Sequence, residues 1–237
     1  MQLETRPMFS IITPVFREID NINSFIEMIE RLDRSYQAEV IVVDGDCGST
    51  ISQIKSDAIQ FRSIITRASR GAQLAAGAIE ARSDYFIFVH VDTSLPHRAL
   101  ALVERGLKVC GAGAFKLSIE SDDPAIRAIA HAANFRNRFT RVPYGDQVHF
   151  FRRRFYERIG GYRDMPLMED VEIMRRIKYR GERIVLMQER VVTSDRRWRK
   201  EGVAWRTLKN WSILAQYRFG ASAEELALRY RPVSDGK

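Results

Sequence analysis

Two periods of apolar spacing organise the chain. Phe9 to Val15 is a mostly apolar, β-branched run that closes near Pro14, and it reads as a buried strand. From Ile19 to Leu32 the apolar positions Ile22, Phe25, Ile26, Ile29 and Leu32 recur at helical spacing. Ala38 to Val43 is a second apolar strand, broken by the polar run Asp44 to Ser49. Strand, helix, strand in this order is a βαβ unit, so these two strands are expected to be parallel. Ser63 to Thr66 reads as a short third strand, and Gly71 to Arg82 as an alanine-rich helix. Tyr85 to Val91 is apolar on both faces, as a central strand covered on both sides should be.

The second half follows less regularly. A helix is expected from after Pro96 to Val109, a strand over Ala112 to Ile119, and a helix begun by Asp123-Pro124. Gln147 to Arg152 and Arg183 to Met187 read as strands. Asp170 to Tyr179 reads as a helix stopped by Gly181, and Lys200 to Tyr230 as two helices divided near Gly220. The pattern therefore predicts an α/β fold of one compact unit over residues 1–200, with a helical appendage over 201–237.

Composition narrows the class. Hydrophobic residues make up 45% and charged residues 29% of 237, an ordinary globular balance. The two cysteines, Cys47 and Cys110, form no metal or disulfide pattern and are expected to be reduced thiols of a cytoplasmic protein. No secretory leader and no run of roughly 18 apolar residues is visible. The net charge of +8 favours phosphorylated substrates, anionic lipid or nucleic acid. Its cations are scattered and no nucleic-acid motif is present, so nucleic acid is not the expected partner.

In α/β sheets, ligands sit beyond the carboxyl ends of strands, so the residues following each strand matter most. No GxGxxG and no P-loop occurs. His90 and Asp92 flank Val91, and alternation along a strand end would aim both at one ligand, with a carboxylate and an imidazole suited to Mg²⁺ or Mn²⁺. The plain structural reading makes His90 a hydrogen-bonded histidine and Asp92 a turn cap. Glu169 and Asp170 open a helix, where acids commonly complement the dipole, yet a carboxylate facing a cleft serves equally as a general base. Arg70-Gly71 opens another helix and suits an anion, or is a surface arginine beside a turn. Thr193 to Lys200 groups basic residues around Trp198, as a diphosphate clamp or as a solvated basic loop.

Taken together, the ordered blocks SIITPVFRE, VVDGDCGST, RGAQLAAGA, FVHVDTSLP, GAFKL, YGDQVHFFRR, PLMEDVEIMRRIKYRG and TSDRRWRKEG resemble family 2 glycosyltransferases of GT-A fold. The likeness runs from about residue 8 to residue 202 and is strongest to the radical-SAM/selenodomain-associated transferase subgroup. It implies a Rossmann-like, mostly parallel sheet flanked by helices, a donor that is a nucleotide-diphosphate sugar, most often UDP-linked, and a Mg or Mn ion. By position it implies that Pro14, Phe16 and Glu18 hold the base and ribose and that Asp44 contacts the base. It places Arg70 and Gly71 at the donor's ribose and phosphates, and Asp92 at the last acid of the metal-binding DxD element. Asp170 is implied as catalytic base with Glu169 beside it, and Arg197-Trp198 as the RW of the diphosphate and acceptor region. His90 stands where the element's first acid would be, and a complete QxxRW is absent. Inverting transfer to an acceptor hydroxyl follows, with Gly145-Asp146-Gln147 on the acceptor side. A catalytically weak nucleotide-binding relative and a sugar nucleotidyltransferase are the alternatives.

The appendage bears an apolar stripe, Val203, Leu208, Trp211, Leu214 and Ala215, between cations Arg206, Lys209 and Arg218. Packing against the catalytic unit or a second copy in a homo-oligomer is the expected use. Contact with the inner membrane face, bringing the enzyme to a lipid rather than a small-molecule acceptor, is the other.

Overall fold

The computed structural model describes residues 7–33, 35–55 and 61–230. In chain order its elements are β1 (Phe9–Val15), α1 (Ile22–Glu30), β2 (Ala38–Asp44), β3 (Phe61–Ile65), α2 (Arg70–Glu80), β4 (Tyr85–Phe88), β5 (Thr93–Ser94), α3 (Ala99–Val109) and β6 (Ala112–Glu120). There follow α4 (Pro124–Thr140), β7 (His149–Arg152), α5 (Arg153–Ile159), α6 (Glu169–Tyr179), β8 (Val185–Ser194), α7 (Arg196–Glu201), α8 (Val203–Arg218) and α9 (Ala223–Arg229).

All eight strands form one sheet in the order β3-β2-β1-β4-β7-β6-β8-β5. Its first half is parallel as the sequence pattern predicts: β1 pairs in parallel with both β2 and β4, and β2 with β3. The second half is mixed. β7 runs antiparallel to β4 and β6, β8 runs parallel to β6, and β5 runs antiparallel to β8.

Both faces of the sheet are covered, which explains why its central strands are apolar almost throughout. Phe9, Ile11, Val40, Val42 and Ile87 point to one face and pack with Phe25, Ile26 and Ile29 of α1 and Leu100, Val103 and Leu107 of α3. Ile12, Ile41, Val43, Phe86 and Phe88 point to the other face and meet Leu74 and Ala78 of α2, Phe155 of α5, and Ile173 and Met174 of α6. Each such fully buried side chain contributes roughly 1.5–3 kcal/mol.

Four local departures from the sequence pattern have physical causes. β4 ends at Phe88 rather than Val91, because the Thr93 N–H donates to the His90 carbonyl at 3.0 Å and closes a turn. His90 and Asp92 thus belong to a turn and not to an alternating strand end. β8 continues to Ser194, well beyond Met187. Its exposed Gln188 and Arg190 alternate with buried Met187, Val191 and Thr193, the pattern of a half-solvated strand near a sheet edge. Residues 196–201, read as part of a basic loop, form α7. Helix α5, unmarked by any cap or periodic run, follows β7 directly and supplies Phe155 and Tyr156 to the core.

The C-terminal helices dock on the sheet unit. Ile213 of α8 and Leu226 of α9 pack on Leu167, with Met168 beside them. Trp198 of α7 and Val203 of α8 pack against Leu117 and Ile119 of β6 and Ile126 of α4.

Candidate active site

The carboxyl ends of β1, β2 and β4 and the entry to α6 meet along one rim. At the end of β2, Asp44 is fully buried. Its Oδ1 accepts from the Asp46 N–H at 2.6 Å, and its Oδ2 from those of Thr50 at 2.9 Å and Ile51 at 3.2 Å. Three backbone donors thereby wrap the loop 45–51 around one carboxylate. The sequence resemblance gives Asp44 to a nucleotide base, but these bonds make it first the organiser of that loop. The same loop is tied to the end of β1. The Glu18 N–H donates to Thr50 Oγ1 at 3.2 Å, and Arg17 pairs with Asp46 at 3.4 Å. Glu18 accepts from Asn21 Nδ2 at 2.6 Å and pairs with Arg196 at 3.3 Å, so its carboxylate links the first loop to α7. Pro14 is buried inside β1, paired in register with Val43, and Phe16 stands half-buried at the rim.

The second group of residues surrounds the start of α6. Asp170 Oδ2 accepts from the Gly145 N–H at 2.7 Å, and Oδ1 from its neighbour Val171 at 2.7 Å. These bonds fix the carboxylate plane. A methyl group added at Gly145 would stand 2.9 Å from His90 Nε2 and 3.3 Å from Asp170 Oδ2. The imidazole and the carboxylate therefore converge on the bare Gly145 Cα. His90, Gly145, Tyr162, Glu169 and Asp170 line one narrow recess. Arg70 pairs with Glu169 Oε1 at 3.4 Å. Its guanidinium is held more firmly protonated by Glu169 first, with smaller contributions from Asp170, Tyr230 and Asp92.

Glu169 is the unusual member. It is fully buried, and among the described residues neither of its oxygens has a well-formed hydrogen bond, only the Arg70 guanidinium at 3.4 Å. Burial pushes its carboxyl up to about 7, with Asp170 adding to the rise and Arg70 opposing it. Behind it, His149 Nδ1 meets the Tyr162 hydroxyl at 2.8 Å and Nε2 meets the Pro143 carbonyl at 3.1 Å. Burial lowers His149 to about 4, so the ring is neutral. Nε2 must then donate to the carbonyl, and Nδ1 accepts from Tyr162, which orients that hydroxyl beside the recess.

The structure thus brings together His90, Arg70, Glu169 and Asp170, with Asp92 two residues beyond His90 on the same turn. It places Phe16, Glu18 and Asp44 in the adjoining pair of loops, and it removes two candidates from the rim. Gly71 does not lie open to phosphates: its N–H donates to the Met165 carbonyl at 3.0 Å, and a Cβ there would meet the Arg163 carbonyl at 2.0 Å. Its lack of a side chain serves the close approach of the 163–165 segment. Trp198 packs into an apolar cluster with its indole N–H unpartnered, rather than stacking at the rim. Arg197 falls within α7, and its side chain lies outside the described residues.

Gln73 is a site-shaping residue that the sequence pattern did not single out. Its Nε2 donates to the carbonyls of Val15 and Val43, both at 2.8 Å, pinning the ends of β1 and β2 together beneath the loops. The available signal was a polar residue on the buried face of α2, among Leu74, Gly77 and Ala78. Among the described residues no group of three or more His, Cys, Asp or Glu side chains is placed to hold a metal ion. His90 and Asp92 supply two donors on one turn. That set fits an ion completing its shell with substrate phosphates and water, as Mg²⁺ and Mn²⁺ do.

Comparison with known proteins agrees with this geometry. The glycosyl transferase family 2 model matches residues 10–165. A mannosyltransferase from Pyrobaculum calidifontis, PcManGT, solved with GDP-Man and Mn²⁺, superposes with a TM-score of 0.65 at 22% identity, over 99% of this chain and 66% of that one. TarS from S. aureus has a TM-score of 0.59 at 13% identity, over 79% of this chain and 36% of that one. Its fragment 1–349 with UDP-GlcNAc has a TM-score of 0.61 at 13% identity, over 79% and 58%. This chain spans less than two thirds of the length of each of these structures, and at such identities the likeness is one of fold. No curated protein sequence matches the chain. With two thirds of its length matched by the family model, and with the sheet and rim described above, the chain belongs to glycosyl transferase family 2.

Proposed function

We propose that this chain transfers a glycosyl group from a nucleotide-diphosphate sugar to an acceptor hydroxyl, with inversion at the anomeric carbon. The observation carrying the reading is the convergence of Asp170 and His90 on Gly145, with Arg70 paired to the neighbouring Glu169. A base and a phosphate-facing side are thereby set across one small opening.

The loops 16–18 and 45–51 would receive the nucleoside, with Phe16 offering a ring face and Asp44 holding the second loop in shape. A UDP-linked donor is our first expectation. The structural neighbours bound to GDP-Man and UDP-GlcNAc make both bases worth testing. Asp170 takes the proton of the acceptor hydroxyl as that oxygen bonds to the anomeric carbon. The bond from that carbon to the diphosphate breaks on the opposite face, and the nucleoside diphosphate leaves with its electron pair. Arg70, a third exposed on its side chain and charged at any working pH, faces the negative charge that develops there. A divalent ion held by Asp92 and His90, when bound, would add Lewis-acid stabilisation of the same leaving group. Glu169, its carboxyl pushed up to about 7 by burial, stays largely protonated below that pH.

A thermal-shift panel of UDP, GDP and their sugar conjugates, with and without Mn²⁺, tests the donor class. A ligand present at one hundred times its Kd adds about 2.7 kcal/mol to stability. Stabilisation by at least one sugar nucleotide, stronger with Mn²⁺ and losing that increment in Asp92→Ala, is the expected result. Indifference to every nucleotide would remove the reading.

A further inference from the structure

Helix α8 has two apolar faces, and among the described residues only one of them is covered. Arg206 and Ile213 point inward, Ile213 joining Leu226 and Leu167 over the entry to α6. On the opposite side Leu208 is 59%, Trp211 67% and Phe219, just past the helix end, 90% exposed, with Trp205 at its flank 66% exposed. At 100° per residue, Ala204, Leu208, Trp211, Ala215 and Phe219 fall on one stripe, interrupted by Ser212 alone. Two indoles and a phenyl ring in solvent form an unusual surface for a soluble helix.

The charge around this stripe says what covers it. From residue 196 to residue 219 the chain has seven arginines and lysines against one acid, Glu201. That acid faces inward, pairing with Arg206 at 2.9 Å and Lys209 at 3.8 Å. Helix α8 itself carries no acid at all. Exposed Arg218 lies next to the stripe; on α7 just ahead of it stand exposed Lys200 and Arg199, the latter paired with Asp195 at 2.7 Å. An apolar, Trp-bearing stripe on a helix that carries cations, Arg218 exposed beside it, and no acid is complementary to the headgroup region of an anionic bilayer, where indole rings settle and phosphates attract arginine and lysine. A second copy of the same face would instead bring these cations against each other. No helix of the described residues is long and apolar enough to cross a membrane, so contact would be along the surface.

We infer that the outer face of α8 docks this protein on an anionic lipid surface, lying flat through Trp205, Leu208, Trp211 and Phe219. The inner face of the same helix rests on Leu167 and Met168, which directly precede Glu169 and Asp170. Docking thus fixes the candidate active site at a set distance from the bilayer.

The test is co-sedimentation of the full chain with vesicles of phosphatidylglycerol and phosphatidylcholine, and with vesicles of phosphatidylcholine alone. Sedimentation velocity in the absence of lipid accompanies it. The expected result is binding to the anionic vesicles at least tenfold tighter than to the neutral ones, weakened by 0.5 M NaCl on the order of the screening that salt gives surface charges. Leu208→Glu with Trp211→Glu should lower that binding at least tenfold while leaving the melting temperature unchanged, since both side chains lie in solvent. Arg218→Glu should give a smaller loss in the same direction. Absence of binding to anionic vesicles, or equal binding by the double variant, would overturn the inference. So would a dimer in solution that the double variant converts to monomer, because the face would then belong to a protein partner.

Discussion

Asp44 and Glu169 are both completely buried carboxylates, each at the mouth of the same sheet, and they live in opposite circumstances. Asp44 closes a loop and has a backbone N–H for each lone-pair direction it needs, three in all. Glu169 opens a helix and, among the described residues, has no well-formed hydrogen bond on either oxygen, only Arg70 at 3.4 Å. A buried charge so poorly partnered costs stability, and such a cost is tolerated where chemistry requires it. The difference teaches which half of the rim is scaffold and which is reactive. The loops after β1 and β2 are tied by internal bonds into a fixed cradle. The entry to α6 holds an unsatisfied acid next to a well-oriented one.

If that division is right, substitutions at the two positions should fail in different ways. Asp44→Ala leaves three N–H groups, that of Thr50 buried and those of Asp46 and Ile51 partly so, without their charged acceptor and should cost about 3 kcal/mol, read as a drop in the denaturation midpoint. A loss under 1 kcal/mol would mean the loop does not depend on it. Glu169→Gln acts through pH. An acid with a higher pKa in the fold than in the unfolded chain binds its proton more tightly when folded. Its contribution is therefore best below about 4.5 and worsens as pH climbs toward about 7. The native protein should lose on the order of 2 kcal/mol relative to the variant over that window. Parallel stability curves for the two would show that Glu169 is ordinary. Gln73→Leu removes one donor each from the Val15 and Val43 carbonyls, Val15 keeping the Gly45 N–H at 3.0 Å, and should cost about 1–2 kcal/mol, together with a higher donor KM. Trp198→Phe removes a buried N–H that has no partner. It should change stability by less than about 1 kcal/mol in either direction, and transfer hardly at all. A large loss of transfer would return Trp198 to the diphosphate.

The parallel half of the sheet could be read from the chain because β1, β2 and β4 are mostly apolar runs between polar breaks, while β3, FRSII, is shorter and more polar. The start of α4 was equally plain, since Asp123 caps it and Pro124 fills its first turn. The long β8 was hidden because half its side chains face solvent and read as a polar loop. Within the site, Asp170 and His90 are adjacent only through Gly145, a contact between residues 25 apart in sequence on one side and farther on the other, which no local pattern encodes. Gly71 misled for a related reason. A glycine at a helix start suits an anion and suits a tightly packed neighbouring backbone equally well, and the 163–165 segment occupies it here. The exposure of the α8 stripe was also beyond the sequence, where apolar periodicity identifies a face without identifying its cover.

The central claim is that Asp170 is the base of a sugar transfer whose donor is held by other residues. It is tested most directly by comparing donor affinity and single-turnover transfer in the native protein and in Asp170→Asn, which keeps the size of the side chain and an oxygen for the Gly145 N–H. The account predicts donor Kd unchanged within about twofold and the transfer rate lowered by roughly 10²–10⁴, the range a positioned general base supplies. Transfer at the native rate, with donor binding intact, would contradict it.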